Sequence, residues 1–232
     1  MDEKTIKIPY GKGNQLLRID DDRLSAVLKV QETESTQASE AEIVQAALAN
    51  PIDSPRLSEL VREKTKIVVI TSDHTRPVPS KITLPLLLAE IRQGNPDADI
   101  TILIATGLHR ATTQEEMRAK FGDEIVDHEH IVVHDAHDDA NMTFFGNLPS
   151  GGELWLNSLI TDADLVVAEG FVEPHFFAGF SGGRKAVMPG CAGAKTVLWN
   201  HNSQFIASNN SRTGKMNTNP IHEDMLFAAK TA

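Results

Sequence analysis

The sequence predicts an α/β fold: an open, mostly parallel Rossmann-like sheet flanked by helices, with a small N-terminal β-hairpin region. Three observations predict it. Residues 66–71, 99–105, 130–134 and 164–168 are continuous runs rich in Ile, Val and Leu, the pattern of strands buried on both faces of a parallel sheet. Apolar segments of helical periodicity lie between several of them, as right-handed crossovers require. The residues able to do chemistry follow the strand ends, where open α/β sheets bind ligands.

The elements follow in order. Residues 6–9 and 16–19 flank the turn-like Gly11-Lys12-Gly13-Asn14, which predicts a hairpin. Residues 39–49 predict a helix capped by Ser39, with Ile43, Val44 and Ala47 at helical spacing. A second helix is expected over 54–63. Strand 66–71 leads to an apolar helix over 84–92. Strand 99–105 leads to a helix over 113–121, capped by Thr112 or Thr113, with Glu115 and Glu116 in its first turn. Strand 130–134 comes next, residues 142–145 are expected as a fourth strand at a sheet edge, and 164–168 form the last. A helix opens over 192–199. Residues 226–232 read as a helix without a C-cap, as expected of a truncated chain. The expected organisation is a β segment over 1–40 packed on a Rossmann-like cofactor-binding domain over 41–232.

Bulk composition limits the function. The chain has 232 residues, 41% hydrophobic and 23% charged, which suits a soluble globular protein with a real core. A net charge of −10 argues against nucleic acid as the main partner, although a small anionic substrate needs only a local positive pocket. No apolar stretch has bilayer length and the first residues lack a signal-peptide run, so no membrane partner and a cytoplasmic location are expected. The single cysteine, Cys191, forms no internal disulfide. With no clear histidine partner for it, a buried structural thiol is expected rather than a nucleophile.

Seven of the nine histidines fall between His74 and His175. The first strand is followed by Ser72-Asp73-His74-Thr75-Arg76-Pro77, the second by Thr106-Gly107-Leu108-His109-Arg110, the third by His134-Asp135, and the last runs on to His175. Arg76 is a natural clamp for a carboxylate, because a guanidinium donates two parallel hydrogen bonds. Its competing role is a structural ion pair with Asp73. His109 and His175 are a candidate acid and base, since imidazole titrates near neutrality. Residues 178–190 combine glycines with Arg184 and Lys185. They are neither a P-loop nor a dinucleotide fingerprint, and read either as an anion- or nucleotide-binding loop or as a tight turn. His128, His130, His134 and His137 form a second cluster. On a strand, His128, His130 and His134 would share a face and could hold zinc, against the alternative of a solvated acidic segment.

Four segments together resemble the nickel-pincer lactate racemase family: Ser72-Asp73-His74-Thr75-Arg76-Pro77, Ala105-Thr106-Gly107-Leu108-His109-Arg110, the run from Glu173-Pro174-His175 to Gly182-Gly183-Arg184-Lys185, and Trp199-Asn200-His201. They stand in the family's order and cover nearly the whole chain. The resemblance implies a nickel-pincer nucleotide cofactor of the pyridinium-3,5-dithiocarboxylic-acid-mononucleotide type, assembled by dedicated enzymes that meet the protein transiently. A host without those enzymes would yield the protein without it. It further implies that Lys185 is bonded to the cofactor as a thioamide and that His201 is the protein's nickel ligand. His109 and His175 become the acid–base pair. Asp73, His74, Thr75 and Arg76 form the loop that meets the cofactor, with Arg76 also on the substrate carboxylate. The reaction implied is racemisation or epimerisation of a small 2-hydroxy acid, lactate or a relative, by reversible hydride transfer. Family members carry a further C-terminal domain, which is expected to be absent from this chain. Two rival readings stand beside it: a zinc-dependent hydrolase built on His128, His130 and His134, and a non-catalytic nucleotide- or carboxylate-binding module.

Overall fold

Strand and helix alternate as expected, and the computed structural model of the chain describes residues 3–29 and 36–232. Positions 1–2 and 30–35 of the expected N-terminal segment lie outside the described residues. The chain forms two compact units, Met1–Gln37 and Ala38–Ala232.

The first unit is an antiparallel hairpin of β1 (Glu3–Tyr10) and β2 (Gly13–Asp20), paired from Tyr10↔Gly13 to Glu3↔Asp20. Its two-residue connection begins at Gly11, whose φ of 57° is one that glycine adopts without a Cβ clash.

The second unit runs α1 (Glu40–Ala49), α2 (Leu57–Leu60), β3 (Lys66–Ser72), α3 (Ser80–Gly94), β4 (Asp99–Ala105), α4 (Gln114–Phe121), α5 (Asp123–His128) and β5 (His130–Val133). It continues with β6 (Met142–Asn147), β7 (Glu153–Asn157), α6 (Ser158–Thr161), β8 (Leu165–Ala168), β9 (Pro174–His175) and β10 (Gly179–Phe180). It closes with α7 (Arg184–Val187), α8 (Ala194–Asn200), α9 (Ser203–Ile206) and α10 (Pro220–Thr231). Four strands make a parallel sheet in the order β5-β4-β3-β8. Both of its faces are covered, which is why its strands read as unbroken apolar runs. Val68, Ile70 and Leu103 pack with Leu154, Leu156, Met188 and Met225. Ile67, Val69, Ile102 and Ile104 pack with Leu84, Leu88, Ile91 and Phe121.

Helix ends follow their caps. Ser39 and Thr113 each complete a capping box, with Glu42 and Glu116 respectively. Four expectations need correction. Residues 142–145 are not an edge of the parallel sheet: β6 pairs antiparallel with β7, which the sequence reading missed, in a separate two-stranded ribbon. Leu154 and Leu156, both fully buried, fasten that ribbon onto one face of the sheet. The helix expected over 54–63 shrinks to α2, a single turn, because the chain turns at 61–64 to enter β3. The helix expected over 84–92 starts at Ser80, directly after Pro79, and carries Pro85 inside it. The terminal helix starts at Pro220, where Asn219 Oδ1 accepts hydrogen bonds from the Ile221 and His222 amides. Asn before Pro is a sound helix start, and the reading began the helix six residues too late.

Candidate functional site

The carboxyl ends of β3, β4 and β8 and the segment that follows β8 enclose a cavity of about 500 Å³. Asp73, Arg76, His109, His175, Lys185 and His201 all line it. Residues far apart in sequence are thus delivered to one place by the parallel order of the strands, as the strand-end pattern predicted.

The β3 and β4 ends contribute a buried carboxylate beneath an imidazole. Asp73 is 1% exposed, and its Oδ2 lies 2.6 Å from Nδ1 of His109. Its Oδ1 accepts from the Thr75 amide at 3.1 Å and the Thr75 hydroxyl at 2.7 Å. Burial works to raise the Asp73 pKa, but the hydrogen bonds from Thr75 and His109 and the charge of His109 outweigh it and hold the carboxyl below its ordinary value. Arg76 makes no ion pair among the described residues, so its guanidinium is available to a ligand in the cavity, and the expected competitor Asp73 is already taken. His74 lines a neighbouring groove instead, with Nδ1 at 3.2 Å from the Thr112 hydroxyl and Nε2 at 3.7 Å from Glu116. Arg110, the other strand-end arginine, is spent on a two-pronged pair with Glu116.

Glu169 was missed by the sequence reading. It follows β8 and accepts hydrogen bonds from the hydroxyls of Thr71 at 2.5 Å, Ser80 at 2.5 Å and Thr83. One carboxylate thereby joins the end of β3 to the first turn of α3 and fixes the loop between them that carries Asp73 and Arg76. Its position directly after an apolar strand was the available signal.

Residues 173–190 contribute a further part of the lining. The short pair β9–β10 turns back on itself, and the Glu173 and Ser181 backbones close it with a 2.8 Å bond from the Ser181 amide to the Glu173 carbonyl. His175 Nδ1 accepts from the amides of Phe177 and Ala178 at 3.4 and 3.3 Å. Phe177 packs edge-on against both His175 and His201, with centroids 4.6 and 5.1 Å away. Gly182 and Gly183, with φ of 79° and 50°, take the left-handed path that leads into α7 and set Lys185 in the cavity. Arg184 braces the same turn by donating to the carbonyls of Ala178 and Phe180 at 2.8 and 3.0 Å.

The electrostatics of this wall are set by burial. Burial, with the Arg184 and Arg76 charges, lowers the Lys185 pKa to about 8. Burial, then the Lys185 ammonium, lowers His175 to about 4 and does the same to His201. His201 sits at the carboxyl end of α8, a place that favours a cation, yet desolvation wins. At neutral pH both imidazoles are therefore uncharged, and part of the Lys185 population is a neutral amine.

The second histidine cluster does not converge. His128 ends α5 rather than lying on a strand, and its ring meets the Glu124 carbonyl. His130 is exposed beside Thr101, and His137 is exposed as well. His134 is 1% exposed, with Nε2 at 3.1 Å from the Ala192 carbonyl and Nδ1 at 3.2 Å from the Asn157 amide nitrogen. The extra helix α5 breaks the strand periodicity on which a shared face depended. Among the described residues no group of three His, Cys, Asp or Glu is placed to hold a metal ion, so the rival reading of a zinc site at His128, His130 and His134 finds no such group there. Cys191 is fully buried and its thiol is pushed up, the structural role expected of it. No helix among the described residues is long and apolar enough to cross a membrane.

Comparison with known proteins adds an independent line. Residues 10–214 match the family model described as the lactate racemase N-terminal domain. The chain is 54% identical over 228 residues to a lactate racemase of Thermoanaerobacterium thermosaccharolyticum, and 50% identical over 228 residues to one of Lactiplantibacillus plantarum. Each alignment covers 98% of this chain and 54% of the relative, so the chain spans about half the length of the curated relatives it matches. The solved apoprotein of the Thermoanaerobacterium thermosaccharolyticum lactate racemase superposes with a TM-score of 0.90 at 54% identity, over 98% of this chain and 53% of that one. A Thermotoga maritima protein shares the fold at 23% identity, with a TM-score of 0.66 over 82% of this chain and 47% of that one.

Proposed function

The chain belongs to the lactate racemase N-terminal domain family, and from that premise we propose that it is the cofactor-holding part of a 2-hydroxy-acid racemase or epimerase acting on lactate or a related acid. The observation that carries the proposal is the single cavity in which His109, His175, Lys185, His201 and Arg76 meet.

The residues present fit a nickel-pincer nucleotide. His201 is a half-buried, uncharged imidazole of the kind a divalent transition metal takes as a ligand. Among the described residues no set of three protein donors surrounds it, so a metal here would depend on a bound group for its other ligands. Lys185, with a pKa near 8, offers the nucleophilic amine that a covalent thioamide link requires. When bound, such a group would supply a hydride acceptor for the substrate's Cα–H. The protein's share is binding and proton handling. Arg76 holds the substrate carboxylate by paired hydrogen bonds. His109 takes the proton of the 2-hydroxyl at Nε2, while its Nδ1–H stays on Asp73. His175, which lines the same cavity, is the second imidazole of the proposed acid–base pair.

The test is production of the protein beside the cofactor-assembly enzymes, followed by intact-mass and metal analysis. One nickel and an added mass on Lys185 are expected, and Lys185→Ala should remove both. Wild-type protein made that way with neither would overturn the proposal.

A further inference from the structure

We propose that His109 and His175 are held in opposite tautomers, His109 offering a bare Nε2 to the cavity and His175 an Nε2–H. Asp73 is then a positioning residue for His109 rather than a cofactor contact.

The hydrogen-bond partners decide each case. An ionised carboxylate only accepts, so the proton on the 2.6 Å bond between Asp73 Oδ2 and His109 belongs to Nδ1 of the ring. A neutral imidazole carries one N–H, which leaves Nε2 of His109 without a proton. The other Asp73 oxygen is occupied by the Thr75 amide and hydroxyl, and the side chain is 1% exposed, so it has little left for a ligand. His175 meets the reverse situation. Backbone amides only donate, and two of them, from Phe177 and Ala178, point at its Nδ1 at 3.4 and 3.3 Å. Nδ1 must hold the lone pair, and the single ring proton sits on Nε2. One imidazole is therefore set by a buried carboxylate beneath it and the other by the turn of its own chain.

The consequence for the chemistry rests on the racemase reading. In the resting state His109 is the ready base and His175 a ready hydrogen-bond donor. A substrate whose hydroxyl faces His109 would give its proton to Nε2 as its Cα–H electron pair passes as hydride to the pyridinium-type acceptor that the bound cofactor would supply. The O–H electrons become the C=O bond, and the imidazolium rests on the Asp73 carboxylate. For the mirror substrate the hydroxyl faces His175, whose Nε2 must first be freed of its proton. That requires Nδ1 to become protonated and the ring to leave the two amides. A racemisation has an equilibrium constant of one, so kcat/KM is equal for both enantiomers, and the asymmetry shows in their separate kcat and KM values and before the steady state.

Ring ¹⁵N-labelled histidine read by two-bond ¹H–¹⁵N correlation at neutral pH tests this on the protein without cofactor, with His109→Gln and His175→Gln for assignment. Expected are a protonated Nδ1 for His109, a protonated Nε2 for His175, and a shift of His109 toward the Nε2–H form in Asp73→Asn with His175 unchanged. One tautomer shared by both rings, or an unchanged His109 in a folded Asp73→Asn, overturns the inference; should that variant fail to fold, the wild-type spectrum decides. In cofactor-loaded enzyme, Asp73→Asn should lower kcat by about 10³-fold or more with little change in KM, as wrong-tautomer variants of Asp–His pairs do. Asp73→Glu should recover part of that loss. The expected tautomers with no racemisation would count against the proposed function alone, and racemisation with matching tautomers against this inference alone.

Discussion

Two regions of this protein are rich in histidine, and only one of them is a site. Residues 128–137 hold four histidines within ten positions, yet they scatter: one ends a helix, two are exposed, and one is locked into the core by Ala192 and Asn157. The cavity draws His109, His175 and His201 from positions spread over nearly a hundred residues and sets them around one space. The difference is geometric. Parallel strands discharge their following loops at the same sheet edge, so side chains distant in sequence converge there, while neighbours along one segment are carried apart as soon as a helix interrupts the strand.

The largest effect that sharpens this contrast is on turnover. His109→Gln in cofactor-loaded enzyme removes the proposed base and should lower kcat by about 10²–10⁴-fold, with the tertiary structure and nickel content unchanged. A histidine of the other region, changed as His128→Gln, should leave kcat alone. A large loss from His128→Gln, or full activity in His109→Gln, would reverse the assignment of the two regions.

Acid sensitivity should divide them next. His175 and His201 titrate near 4 in the folded protein, lowered by burial and then by the Lys185 charge, against about 6.5 in an unfolded chain. Between those values the unfolded state binds more protons, so stability rises with pH across that window and is lost as pH falls from about 6.5 toward 4. Melting curves of the cofactor-free protein over that range should show the loss, and His201→Gln should flatten it. An unchanged slope in His201→Gln would mean that the acid lability has another source. The buried His134, also lowered by desolvation, adds to the same trend from the second region, which is why the variant rather than the slope alone is decisive.

Much of the fold was legible because its pattern is local. Unbroken apolar runs announced β3, β4, β5 and β8, and Ser39 and Thr113 announced their helices. What escaped depends on tertiary pairing or on overlapping signals. Residues 153–157 alternate too briefly to stand out, and β7 owes its place to Leu154 and Leu156 packing under the sheet. The site was legible in its members rather than in its bonds. Strand-end position marked His109 and His175, and family resemblance marked Lys185 and His201. That Asp73 lies beneath His109, that His74 faces a different groove, and that Glu169 ties Thr71 to Ser80 and Thr83 are contacts between segments far apart in sequence, which no periodicity encodes.

The smallest expected effects belong to the region without a site, and they separate its members from one another. His134 bridges β5 to Asn157 and the Ala192 carbonyl from inside the core. Removing its ring in His134→Ala leaves those two polar groups buried and unpaired, a cost of about 1–3 kcal/mol, or roughly 3–10 °C in Tm for a domain of this size. His128, on the surface at the end of α5, gives up only a contact to the Glu124 carbonyl, and His128→Ala should move Tm by no more than about 2 °C. Differential scanning calorimetry of the two variants measures both. Equal shifts would mean that burial does not rank these histidines. If neither variant changes zinc or nickel content, the contrast between a histidine cluster in sequence and one in space is complete, because the first then contributes through a single hydrogen-bonded ring and the second through convergence on a ligand.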